Sequence, residues 1–420
     1  MDVIIGAGIS GLSYAAFCPG RDYLVLESGD RIGGYCKTTR RNGFVWDYSG
    51  HFFHFRNPGI KDFVMDGIAP ELLLTVQKST RIRYKDRMVD YPFQKNIHQL
   101  EKEEFIDCLY DLFTSGGNYG TFREMLYAKF GRSIAEKFLC PYNRKLYACD
   151  LDLLDKDAMG RFFPYADPVE IVRNFRRQEN SAYNDTFIYS KEGAESFVRS
   201  VASHVEADRI RLGAQVEAVE MDRHRVRLLS GEEIPYDRLV STIPFPRLLD
   251  LCGIPYDAPV YSSNQVLVFN LGFDSKGPDT TDHWIYFPED RYCFYRVGFY
   301  DNILGQDRTS LYVELGFPSD VRIDPASWLP RVLADLETAE VIRHGQVLVD
   351  YESLVMNPAY VHINRRSDAD VREKKAILRG KDIHSIGRYG SWTYCSIEDN
   401  IDEARSLADI LNGNETASCL

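Results

Sequence analysis

DVIIGAGISG, residues 2–11, begins with a short apolar run and then places Gly6, Gly8 and Gly11 in G-x-G-x-x-G spacing. The LSYAAF that follows can begin a helix, and a second apolar run, YLVLE, ends on Glu27, sixteen residues beyond Gly11. Strand, glycine turn, helix and a second strand closed by an acid form a βαβ unit suited to a dinucleotide. Gly6 supplies the tight turn, Gly8 lets the backbone approach a pyrophosphate, and Gly11 lets helix and strand pack closely. The helix N-terminus then points at the pyrophosphate, and Glu27 accepts hydrogen bonds from a ribose. A glycine-rich turn without a ligand would leave Glu27 unexplained. The expected class is α/β, with a Rossmann-like domain at the start of the chain.

A chain of 420 residues is long enough for two or three domains. Apolar residues make up 44% and charged residues 27%, as in soluble globular proteins. No apolar run approaches the roughly 20 residues of a membrane span. The first residues lack a basic n-region and read as a buried strand, not a signal peptide. Nine cysteines without a CxxC pair argue against a disulfide framework or a zinc site, so a reducing cytoplasm is the expected setting. A net charge of −12 disfavours nucleic-acid binding. An anionic small ligand would instead need a local group of arginines. The 26 tyrosines and 24 phenylalanines gather in places beside Arg, Asn and Gln.

ESGDRIGGYCKT (27–38) extends the βαβ unit with Ser28, Arg31, Gly33, Gly34 and Tyr35. It resembles the E-x-x-x-R-x-G-G extension of FAD-binding flavoproteins related to amine oxidases, phytoene desaturases and UDP-galactopyranose mutases. That resemblance implies FAD, with the paired glycines along its pyrophosphate. In NGFVWDYSGHFFHF (42–55), His51 follows a glycine as in the mutases, which implies a flavin contact; read alone, it would be a core or surface histidine.

RMVDYPFQKNIHQL (87–100) groups Tyr91, Phe93, Gln94 and Asn96, two rings and amides able to sandwich a flat base, or equally to pack a core. It resembles the uridine-binding YPFQNN of the eukaryotic-type mutases, with Lys95 as a departure. Residues 101–165 carry apolar positions at three- and four-residue steps and read as helices, the second ending at Pro141. PYNRKLYA resembles the mutase PYNxKVWA, which implies Tyr142 and Asn143 at the nucleotide and Tyr147 in place of Trp. YNDTFIYSKEGAESF (183–197) supplies Asn184 as a further substrate contact, with Ala194 replacing a family glycine. RIRLGAQVEAVEMDRHRVRLLSGEEIPYDRLVSTIP (209–244) alternates as strands, and the resemblance implies that the Val216 backbone meets adenine.

WIYFPEDRYCFYRVGFY (284–300) resembles the mutase WLYFPEDxxxFYRxT and sets Tyr286 ten residues before Arg296. An arginine among aromatics is costly to bury without an anion, and its fork suits a diphosphate; cation–π stacking is the alternative. Tyr360 in NPAYVHINR (357–365) and Arg161 in AMGRFFP (158–164) are further diphosphate candidates. GRYGSWTYCSIEDN (387–400) resembles the mutase GRFGSWRYE. This implies Gly387 and Arg388 at the flavin and Tyr394 at the sugar diphosphate. Asp399, Asn400 and Ile401 would open a helix facing the cofactor. Cys395 stands where the family has an acid.

The expected architecture has a discontinuous FAD-binding domain (1–60, 185–250 and 370–420), a helical substrate domain (95–180) and a β-sheet substrate domain (61–94 and 251–369). The resemblance implies a mutase interconverting pyranose and furanose forms of a UDP-sugar, UDP-galactose by default. Reduced FAD would attack the anomeric carbon, with NAD(P)H or another reductant activating the flavin. His51, Arg296 and Arg388 are the catalytic candidates. The expected partner is a nucleotide-diphosphate sugar; a homo-oligomer is left open, because the sequence does not fix the oligomeric state. The rivals are an amine oxidase or desaturase, which would not need Tyr91–Asn96 or Arg296, and a non-catalytic flavin-retaining nucleotide-sugar-binding protein.

Overall fold

The computed structural model describes residues 1–176 and 185–413, so Asn184 lies outside the described residues. Five parallel strands form one sheet in the order Ile383–Ser385, Arg238–Ser241, Asp2–Ile5, Tyr23–Leu26, Ile210–Arg211. Their runs, such as DVII and YLVL, are short and mainly apolar, as strands covered on both faces require. The helix Ile9–Ala16 packs one face against the helix Ile397–Leu411 through Leu12, Ile401, Ala404 and Ala408. The first and last parts of the chain therefore share one core.

A seven-stranded sheet runs Leu348–Met356, Asn264–Phe273, Ser310–Pro318, Arg296–Phe299, Trp284–Tyr286, Thr80–Tyr84, Arg87–Asp90. It is antiparallel except where Trp284–Tyr286 meets Thr80–Tyr84. Asn264–Phe273 is buried along its whole length.

Helices Lys102–Thr114, Phe122–Ile134, Cys140–Tyr147 and Pro168–Asn174 close over one side. The expected helix ending at Pro141 is corrected here. Thr121 and Glu124 form a capping box that starts it. It breaks at Gly131 (φ 74°, ψ 164°), where an added Cβ would lie 2.5 Å from the Asp111 carbonyl carbon. A π-turn at Ala135–Leu139 joins it to Cys140–Tyr147 with helical backbone at Leu139 and Cys140, so the helical run continues past Pro141. The proline stands just after the π-turn, where the regular hydrogen-bond ladder is already interrupted. Among the described residues, no helix is long and apolar enough to cross a membrane.

Candidate active site

A cavity of about 670 Å³ opens at the C-terminal ends of the parallel strands, where open α/β sheets bind ligands. Gly6 has φ 102°, and a Cβ there would meet Thr242 Oγ1 at 2.4 Å; a Cβ on Gly11 would strike the Gly6 carbonyl oxygen at 2.0 Å. Gly8 and Gly34 face each other in this cavity, and a Cβ on Gly34 (φ 57°) would lie 3.3 Å from Gly8 Cα, so a side chain there would crowd this slot. Glu27 accepts from the Ala7 and Gly29 N–H groups, both at 2.8 Å. A lone pair remains on each oxygen for a ribose hydroxyl. Ser28, Tyr35 and Val216 line the same cavity, joined by Arg247, which the sequence did not single out.

At the far end stand His51, Arg388 and Asn400. His51 Nδ1 lies 2.9 Å from the Ser49 carbonyl oxygen and donates to it, which leaves Nε2 as an acceptor. Burial, helped by the Arg388 and Arg296 charges, pushes this imidazole down to about 4, so it is neutral at pH 7. Gly387 (φ 84°) turns the chain where a Cβ would meet Ser10 Oγ at 2.6 Å. The Arg388 N–H donates to Asn400 Oδ1 at 2.7 Å, and Ser10 Oγ donates to the same atom at 3.0 Å. The Arg388 guanidinium lies over Tyr394 (4.6 Å) and Tyr360 (5.3 Å), and its Nε is buried without a hydrogen-bond partner. An orphaned buried donor beside a glycine-floored slot fits an anionic or carbonyl-rich ligand such as a dinucleotide cofactor.

Several expected cofactor contacts fall elsewhere. Helix Ile397–Leu411 starts two residues earlier than expected, capped by Ser396, so Ile397 and Asn400 reach the cavity. Ile401 is turned into the core, and Asp399 closes the cap box and pairs with Arg161. Arg31 braces its loop instead, donating to the Thr38 carbonyl (3.2 Å), Glu195 (3.3 Å) and the Tyr48 hydroxyl (3.4 Å). The Gly387 N–H is taken by Glu403 at 2.8 Å.

A second cavity, about 690 Å³, is walled by Tyr91, Tyr142, Tyr286, Tyr360 and Tyr394, with Asn143, Arg161 and Arg296 among them. Tyr286 meets Tyr91 and Tyr142, both at 5.1 Å between ring centroids, and accepts a hydrogen bond from Trp284 Nε1. Burial holds the Tyr91, Tyr142 and Tyr360 hydroxyls well above their ordinary value, so they stay neutral donors. Asn143 donates to the Leu139 carbonyl at 2.7 Å and keeps a buried, unpartnered Oδ1. Phe93, Gln94 and Tyr147 are not in the wall. Phe93 stacks in the core on Phe138, Gln94 is buried and donates to the Pro164 carbonyl, and Tyr147 backs Tyr360 at 5.8 Å. Lys95, flagged only as a departure, does line it.

The argument that Arg296 needs an external anion is also corrected. Its Nε and Nη2 donate to Glu314 at 2.6 and 2.8 Å, and the Glu314 side chain is 1% exposed. Arg161 Nη2 likewise meets both Asp399 oxygens, at 2.5 and 2.6 Å. Glu314 was legible in one respect: SLYVELGFP carries a single acid inside an apolar strand, which demands a partner.

Residues 4–66 match a family model described as an NAD(P)-binding Rossmann-like domain. A crystal structure of reduced UDP-galactopyranose mutase superposes with a TM-score of 0.93 at 24% identity, covering 99% of this chain and 96% of that one. A protein from Exiguobacterium sp. 255-15 assigned as a protoporphyrinogen oxidase gives 0.79 at 18% identity, with 99% of each chain covered. Coproporphyrinogen III oxidase of Staphylococcus aureus is 21% identical over 326 residues, 66% of this chain and 68% of that protein. These likenesses establish the fold: a Rossmann-like α/β unit joined to a helical layer and a large mixed sheet.

Proposed function

We propose that the chain is a flavin-dependent mutase acting on a nucleotide-diphosphate sugar, with UDP-galactose pyranose–furanose exchange as the first reaction to test. One observation carries this reading: the glycine-floored cavity and the tyrosine-walled cavity meet at Arg388, a residue of the first whose guanidinium lies over Tyr360 and Tyr394 of the second. A dinucleotide in one and a diphosphate ligand in the other would share that wall.

The first cavity fits FAD through its Gly8–Gly34 slot, Glu27 and the unpartnered Nε of Arg388. Bound and reduced, FAD supplies a nucleophile for an anomeric carbon and is regenerated in the cycle. The chain's own groups position and polarise. His51, neutral and held by the Ser49 carbonyl, offers Nε2 as an acceptor at the cofactor end. Arg388 brings positive charge to the junction, and the tyrosine hydroxyls donate to diphosphate oxygens without becoming charged. The aromatic walls exclude water, which strengthens each of these interactions and keeps an activated sugar from hydrolysis.

The test is to reduce the FAD-loaded protein with dithionite, add UDP-galactopyranose or UDP-galactofuranose, and separate the products. Interconversion by the reduced form and none by the oxidised form is expected. The internal pairing of Arg161 and Arg296 with carboxylates favours one rival, an oxidase, because it lowers the demand for an anionic ligand. Flavin reduction by an amine or alkene substrate, with no sugar exchange, would replace the mutase reading with that one.

A further inference from the structure

Arg296 and Glu314 stand directly opposite each other on adjacent antiparallel strands. Sheet register, and not chance rotamers, therefore sets their bidentate pair. The Arg296 guanidinium lies 5.8 Å from the Tyr312 ring centroid. Glycines make room for that ring: a Cβ at Gly298 would fall 1.8 Å from Tyr312 Cε1, and one at Gly50 2.6 Å from its hydroxyl. Glu314 also accepts from Ser49 Oγ, and the Ser49 carbonyl receives His51 Nδ1. One buried carboxylate thus ties an arginine of the second cavity to the loop that presents His51 to the first.

We propose that Glu314 is a positioning residue that sets how tightly the second cavity holds an anion. By taking the Nε–H and one Nη2–H it closes the side-on fork of Arg296 and leaves a ligand only the end formed by Nη1 and the second Nη2–H. It also offsets much of the arginine charge. Both effects weaken diphosphate binding, as a site that must let a nucleotide depart and return requires. The inference rests on reading the second cavity as a diphosphate site.

The test titrates FAD-loaded protein with UDP and, separately, with inorganic pyrophosphate. Glu314→Gln removes the charge and one strong acceptor, and binding of both anions should tighten about fivefold or more. Glu314→Asp, one methylene shorter, holds its carboxylate back from the guanidinium and should tighten binding less, and it carries the test if the Gln variant loses FAD. In an Arg296→Gln background, Glu314→Gln should change affinity less than twofold, because there is no guanidinium to release. A purely structural ion pair would lower the melting temperature without tightening anion binding. Unchanged or weaker binding in FAD-retaining variants overturns the assignment, as does absence of binding to either anion in every form. A gain that persists without Arg296 overturns it too, since the charge would then act on the ligand directly. A pyrophosphate gain with no UDP binding, or a gain with no sugar exchange, upholds Glu314 and removes the nucleotide-sugar mutase reading.

Discussion

Arg388 is fixed at its backbone, and its guanidinium makes one long hydrogen bond, from Nη1 to the Cys395 carbonyl at 3.5 Å. Asn400 takes its N–H, Tyr360 and Tyr394 lie against its flat face, and Nε has no partner. Lysine would keep the charge but lose the plane and the Nε donor. Arg388→Lys should therefore lower turnover of the reduced protein ten- to a hundredfold, the worth of about one charge-assisted hydrogen bond, while FAD stays bound. Steady-state kinetics beside a flavin spectrum would check this. His51 makes a pH prediction. Its folded value is lowered from 6.5 to about 4, so the unfolded chain takes the proton first as pH falls. The associated stability is complete above pH 6.5 and is lost on going down towards pH 4. His51→Asn should remove about 1–2 kcal/mol of the destabilisation between pH 7 and pH 5, read by urea unfolding at both values. At this scale, legibility follows sequence distance. Gly6, Gly8, Gly11 and Glu27 belong to one local unit and were readable. Arg296 was readable only as a charge needing a counter-charge, because Glu314 is brought opposite it by strand register.

Elements were read well where a short apolar run made one strand and poorly where one helical period spanned two segments. The mainly apolar parallel strands Asp2–Ile5, Tyr23–Leu26 and Arg238–Ser241 fall where the apolar runs predicted them. Residues 121–148 kept helical spacing throughout, and that spacing conceals a break, because apolar positions on either side of Gly131 both face the same core. The last helix was misphased for a different reason. Ser396 and Asp399 form a capping box that was present in the sequence as S-x-x-D and fixes Ile397 as the first helical residue. Read from that cap, Ile397, Asn400, Ile401, Ala404 and Ala408 lie along one face, whose first turn reaches the cavity through Ile397 and Asn400 and whose following turns enter the core. The Gly131 break carries its own prediction. Its positive φ and the Asp111 backbone 2.5 Å from an added Cβ leave no room for a side chain. Gly131→Ala should cost about 2–4 kcal/mol, seen as a lower melting temperature. Because the helix bearing Tyr142 and Asn143 follows directly, nucleotide affinity should fall with it. A melting temperature within a degree of wild type would mean that the two helical segments reorient freely.

Across the whole molecule, the two cavities are built from different parts and closed by common ones. Strand ends Ile5 and Leu26 and the loop at Val216 line the first; the seven-stranded sheet and the helical layer supply Tyr286, Arg296, Tyr142 and Asn143 to the second. The segment 387–400 serves both, with Arg388 and Asn400 on one side and Tyr394 and Ser396 on the other. Glu403 and Asn400 hold its turn against the last helix, and Arg161 of the helical layer reaches Asp399 at the start of that helix. The order of motifs along the chain implied such convergence, but no spacing in the sequence says which side of the segment faces which cavity. A shared wall has a thermodynamic consequence. FAD in the first cavity should order Arg388 and so preform the Tyr360–Tyr394 side of the second. Removing FAD should then weaken UDP binding at least fivefold, within the usual range of coupling between sites. By linkage, saturating UDP must tighten FAD binding by the same factor. Measuring UDP affinity with and without FAD, and FAD affinity with and without UDP, closes the cycle. Equal UDP affinities in the two forms would mean that segment 387–400 is rigid without its cofactor, and that the cavities are neighbours without being coupled.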